Sequence, residues 1–252
     1  MIILIIALAT ILTFVTWMLI RPKALRYTLG FLSLALLFAS VWMLTDHFVN
    51  HTGMTIETKT KTREIYSAGD SNAPFGLMIY KEIGTHSSNN VLVYRTDLNQ
   101  KEAKAHFVPN TKEVTSAVKK SASYQLADVK KATVTTKTKR YVWKDSLSKL
   151  LYGFAGENGE LISQKSVAKI PRKTWLVLTK EQSEHLESAA AKLKEQMTLQ
   201  AKVNPVKAME IKALAKTNPE AYAEMQVKAL KEALNIKNSE VKATEMSCFS
   251  YS

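Results

Sequence analysis

The chain begins IILIIALATILTFVTWMLI (Ile2–Ile20), continues RPKALR (Arg21–Arg26), and then reads YTLGFLSLALLFASVWMLT (Tyr27–Thr45). Neither long stretch holds an Asp, Glu, Lys, Arg or His. As a helix each rises roughly 28 Å, close to the ~30 Å hydrocarbon core of a bilayer. Both are apolar all round, the pattern of a helix surrounded by lipid rather than one lying across an interface. Two spanning helices, 2–20 and 27–45, are therefore expected. Thr10, Thr13 and Thr16 fit this reading, because each hydroxyl can bond back to a carbonyl one turn earlier. Without charged groups inside the spans, ion or proton transport has no carrier there. The small residues Ala35 and Ala39 suit close helix packing instead.

Arg21, Lys23 and Arg26 fill the short link with no acid to offset them. Short loops rich in Lys and Arg stay in the cytoplasm, so both termini are expected outside. Trp17 and Tyr27 near the inner boundary and Trp42 near the outer one suit interfacial rings. A cleavable signal peptide would need a basic start, and the first basic residue is Arg21. The anchor is thus a transmembrane helical hairpin spanning residues 1–45.

The chain carries 35 Lys and Arg against 22 Asp and Glu, a formal charge of +13. All the acids lie beyond Thr45. The basic excess is concentrated in residues 101–149. Cys248 is the single cysteine, so no intrachain disulfide can form and an ordinary core must hold the outer portion together.

Beyond Asp46 the period is first that of strands. Thr55–Tyr66, Gly76–Ile83, Val91–Thr96, Ala105–Val108, Val114–Val118, Lys131–Trp143, Leu150–Ala155, Leu161–Ala168 and Thr174–Leu178 read as strands, with turn signals at Gly84–Asn90 and Gly156–Gly159. They predict a basic, mainly antiparallel β domain over 46–179. The period then lengthens. Thr179 with Gln182 forms a capping box, and Asn204-Pro205 and Asn218-Pro219 each read as an N-cap followed by proline. Helices are expected near 180–203, 205–217 and 219–235, with a loose tail from Ile236, so that 180–252 is a helical extension. The fold class is a membrane-anchored α+β protein with an extracytoplasmic β domain.

Candidate chemistry is sparse. His47 and His51, four apart, share one helical face, yet only Asp46 stands near as a third ligand, so an interfacial role is expected over a metal site. No Gly-x-Ser-x-Gly and no phosphate-cradling glycine loop occurs, and Cys248 sits in the tail, so the chain is read as a non-enzyme without cofactor. Alternation over Lys131–Trp143 places Lys131, Lys137 and Lys139 on one face with Tyr141 and Trp143, a candidate polyanion contact. Outside a cell the available polyanions are lipid head groups and phosphate-bearing wall polymer, which argues against nucleic acid.

Asp46-His47-Phe48, Ile65-Tyr66-Ser67-Ala68-Gly69, Tyr80 with Ile83-Gly84-Thr85, Val93-Tyr94-Arg95-Thr96 and Pro171-Arg172-Lys173-Thr174-Trp175-Leu176-Val177-Leu178 resemble a family of two-helix membrane proteins of lactic-acid bacteria, catalogued as a domain of unknown function. The resemblance implies a cell-membrane location and supplies no activity or catalytic residue. The expected function is a non-enzymatic envelope protein that binds anionic wall polymer, lipid head groups or a protein partner. The alternative is an accessory subunit packing through its hairpin on a larger membrane complex.

Overall fold

The computed structural model describes residues 1–84, 89–109, 112 and 114–236; Cys248 and the tail beyond Ile236 lie outside them. In chain order the elements are α1 (Ile2–Met18), α2 (Lys23–Asn50), β1 (Met54–Glu64), β2 (Gly76–Glu82), β3 (Asn90–Tyr94), β4 (Lys104–His106), α3 (Val114–Val118), β5 (Lys120–Ala127), β6 (Thr133–Trp143), α4 (Ser146–Tyr152), β7 (Leu161–Pro171), β8 (Trp175–Thr179), α5 (Lys180–Glu184), α6 (Leu186–Val203), α7 (Pro205–Thr217) and α8 (Pro219–Ala233). They form two compact units, Met1–Lys59 with Thr138–Ser163, and Thr60–Lys137 with Gln164–Ser252.

In the first unit α1 packs along α2. The contact is made by small and hydroxylated residues. Thr16 Oγ1 meets Ser33 Oγ at 3.2 Å, and the Trp17 indole lies where a Cβ on Gly30 would be, 2.7 Å from its Nε1. Trp17 also meets Tyr27 and Phe31 edge-on. Thr10 and Thr13 donate back to the carbonyls of Ile6 and Ala9 at 2.8 Å, as an apolar environment requires. At 28 residues α2 is long and apolar enough to cross a membrane; α1 is a shorter apolar helix. The expected second helix, 27–45, thus grows at both ends, and Lys23 and Arg26 become its first turn. The ammonium of Met1 donates to the Leu150 and Leu151 carbonyls at 3.0 Å, placing the amino end of α1 beside the last turn of α4.

The second unit is built by period-2 alternation. Met78, Leu92, Tyr94, Ala132, Val134, Ala168 and Ile170 are buried in one core together with Ile65. The opposite faces of β2 and β8 contribute Leu77, Leu176 and Leu178 to a second core, closed by Val227 and Leu230 of α8. The unbroken apolar run Trp175–Leu178 is explained by this burial on both faces. The C-terminal helices therefore dock on the sheet, through α8.

One sheet has the order β1-β6-β7-β5 and the other β4-β3-β2-β8. The expectation of mainly antiparallel pairing is corrected to mixed sheets. β2 pairs antiparallel with β3 and β3 with β4, but β2 with β8 and β5 with β7 are parallel. Alternation reports which face a residue takes and carries no information on strand direction. Two expected strands are helices. Val114–Val118 is the single turn α3, with both terminal valines exposed and nothing to bury a strand face there. Leu150–Ala155 gives way to α4, because the Asp145 carboxylate accepts the Ser148 N–H at 2.7 Å and nucleates a helix. β5 was not foreseen; its serines and alanines dilute the apolar signal, although Ala122 is buried and Tyr124 and Leu126 pack on the core. The capping box at Thr179 and Gln182 and both Asn-Pro caps are present, and the first expected helix breaks at His185 into α5 and α6.

Candidate functional site

The face of the β1-β6-β7-β5 sheet turned away from the core is basic. In the second unit Ala132 and Val134 point inward, so Lys131 and Lys137 point outward. The same alternation on β7 buries Ser166, Ala168 and Ile170 and exposes Lys165 and Lys169. Thr62 of β1 bonds Thr135 of β6 across this outer face at 3.0 Å, which places Glu64 on it too. Glu64 is already engaged, its two oxygens each 3.1 Å from Lys131 Nζ. Lys137, Lys165 and Lys169 have no ion pair among the described residues. The strand expected over Leu161–Ala168 carried no face assignment and ends before Lys169, so Lys165 and Lys169 were not singled out; their spacing with Ser166 and Ala168 is the signal that could have found them.

The first unit holds the remaining predicted residues. Lys139 is exposed. Tyr141 stacks on His51 with ring centroids 4.0 Å apart and planes 13° from parallel, and Trp143 stacks on His47 at 5.7 Å and 20°. Both aromatic rings are thus engaged with the end of α2. Arg21 stays in the link between α1 and α2, whereas Lys23 and Arg26 lie in the first turn of α2, where a cation opposes the helix dipole.

His47 is fully buried. Tyr152 covers its other side at 4.1 Å and 11°, and Phe48 meets its edge. Its Nδ1 lies 2.7 Å from the Thr52 carbonyl, an atom that only accepts, so Nδ1 carries a proton. Nε2 stands 2.7 Å from Glu157 Oε2. The two atoms meet as a close ion-pair contact and not along a hydrogen-bond axis, and neither has another partner. The turn that presents Glu157 starts from Gly156 at positive φ and closes with the Glu160 N–H on the Glu157 carbonyl. Burial first, and the Asp46 charge second, push the Tyr152 hydroxyl above its ordinary value. Asp46 accepts from Asn50 and Thr52, holding the chain as it leaves the helix, where His51 takes the left-handed conformation. The arrangement seats a buried imidazole between aromatic rings with a carboxylate against its free edge. Among the described residues no three His, Cys, Asp or Glu converge as metal ligands. Nothing in the sequence pairs His47 with Glu157, 110 positions apart.

These features define an α+β protein with a long apolar N-terminal helix, mixed sheets and C-terminal helices. The chain belongs to the family described as Domain of unknown function (DUF4811), whose model matches residues 22–186. The match takes in α2, all eight strands and α5, and leaves out α1, α7 and α8. No curated protein and no solved structure matches the chain.

Proposed function

We propose that this is a non-enzymatic cell-envelope protein: α1 and α2 form a membrane hairpin, both termini lie outside, and the basic sheet face binds anionic wall polymer. The carrying observation is the outer face bearing Lys137, Lys165 and Lys169 without acidic partners among the described residues. Side chains that stabilise a fold by ion pairing are matched with acids; these are not. Each lysine near a polyanionic surface contributes about 1 kcal/mol, screened over a Debye length of ~8 Å at physiological salt. The hairpin reading draws on α2, which at about 1.5 Å per residue reaches about 42 Å, so a span from Arg26 ends near Asp46 and leaves His47 beyond the hydrocarbon. The Met1 contact with α4 puts the amino end of α1 on the side where α2 ends. Cations in the first turn of α2 oppose the helix dipole, which fits a role in fixing orientation.

The test is retention of the detergent-solubilised chain on purified anionic wall polymer as salt is raised. Retention should fall steeply with ionic strength and be lost in the Lys137→Gln, Lys165→Gln, Lys169→Gln triple variant. Absence of retention, or retention indifferent to salt, would overturn the reading.

A second reading, an accessory subunit of a larger membrane complex, draws on Ala35 and Ala39. They are exposed on α2, while Gly30 and Ser33 take the contact with α1. A partner helix could approach closely along that stripe.

A further inference from the structure

Arg95 is 8% exposed and has no carboxylate within ion-pair distance among the described residues. It follows β3, where its backbone exchanges hydrogen bonds with Tyr66 at 2.8 and 3.0 Å. Its Nε donates to the Ser67 carbonyl at 2.5 Å and its Nη2 to the Gly69 carbonyl at 2.9 Å. Nη1 donates to no described residue. The guanidinium is thus locked in one orientation with an edge left over. Arg95 lines a cavity of about 250 Å³ within the second unit, together with Ser71, Leu98, Lys130 and Trp175.

Two acids share the wall. Glu64 is held through both oxygens by Lys131, and Asp70 accepts the Asn72 N–H at 2.9 Å. With Arg95, Lys130 and Lys131 against Glu64 and Asp70, the lining carries one positive charge in excess. A buried guanidinium without a counter-charge is unfavourable, and an entering anion would relieve that cost. Planar, doubly anchored Arg also needs no reordering before it meets a phosphate or carboxylate. The Trp175 ring packs over Gly76, where a Cβ would stand 2.2 Å from it, and contributes apolar surface to the lining.

We propose that this cavity binds a small organic anion, its phosphate or carboxylate head on Arg95 and Lys130 and its compact apolar body against Trp175. The volume sits just below the ~300 Å³ at which ligand pockets usually begin, so the occupant is small. The site is separate from polymer binding by Lys137, Lys165 and Lys169 and does not rest on it.

Calorimetric titration of the solubilised full chain with phenyl phosphate and with benzoate tests the proposal, and the tighter probe assigns the head group. Saturable binding of at least one probe is expected, weakened about 10- to 100-fold in Arg95→Gln. Because Arg95 also ties down the Ser67–Gly69 backbone, Leu98→Trp provides the second variant. Leu98 is 70% exposed, so a larger ring there should block the mouth and abolish binding with Tm unchanged. The Lys137→Gln, Lys165→Gln, Lys169→Gln variant should bind both probes as the parent does. No saturable binding of either probe, or binding unaltered in Leu98→Trp and in folded Arg95→Gln, would overturn the proposal.

Discussion

At the residue scale the decisive contact is His47 with Glu157. A histidine at the end of an apolar helix reads as an interfacial side chain, and the fold instead encloses it between Tyr152 and Trp143. Removing one partner of a buried pair leaves the other desolvated, which costs far more than the pair itself contributes. His47→Ala also empties the space between two rings. The expected loss is about 3 kcal/mol, a fall in Tm of about 6–12 °C for a chain of this size. Glu157→Gln, which keeps a polar partner of the same shape on a side chain 18% exposed, should cost clearly less. Thermal unfolding of the solubilised chain measures both. Equal Tm values for His47→Ala and the parent would show that the box contributes nothing to stability.

At the element scale, the boundaries encoded by local chemistry were the readable ones. Thr179, Asn204 and Asn218 each accept a backbone N–H at a helix start, and each is legible because capping depends on side chains only three residues away. α4 differs from the expected strand because the apolar pair Leu150 and Leu151 suits either period, and the N-cap Asp145 decides for the helix. Strand pairing is less local. β2 meets β8 almost a hundred residues later, with Gly76 opposite Trp175. That position demands glycine, since a Cβ would enter the indole at 2.2 Å. Gly76→Ala should force Trp175 out of place and destabilise the fold by about 1–3 kcal/mol, with a shift in indole emission. An unshifted spectrum and unchanged unfolding midpoint would contradict the close approach.

At the scale of the whole molecule, insertion polarity governs what the basic face can meet. Under the proposed topology, protease added to cells with permeabilised walls should remove the β domain and C-terminal helices, while inside-out vesicles should protect them. Protection in cells and cleavage in inside-out vesicles would reverse the topology and take wall polymer out of reach. Of the residues proposed to meet polymer, Lys137 was legible because a period-2 pattern assigns faces directly, whereas Lys165 and Lys169 were not singled out. Tyr141 and Trp143 shared that face on paper, yet stacking on His51 and His47 engages both rings. Arg95 carries the sequence signature of a surface arginine beside a strand; only its burial beside the Ser67–Gly69 backbone separates it from the others.

The sequence by itself determined the apolar N-terminal segment, most of the strands, the three helix starts and the basic balance. All of these follow from hydropathy, period and capping, which act within a few residues. Tertiary structure decided the parallel pairings, the docking of α8 on the second core, the enclosure of His47 by Glu157 and the exposure of one lysine face. Those depend on groups brought together from distant parts of the chain, where burial and desolvation, not local propensity, select the arrangement.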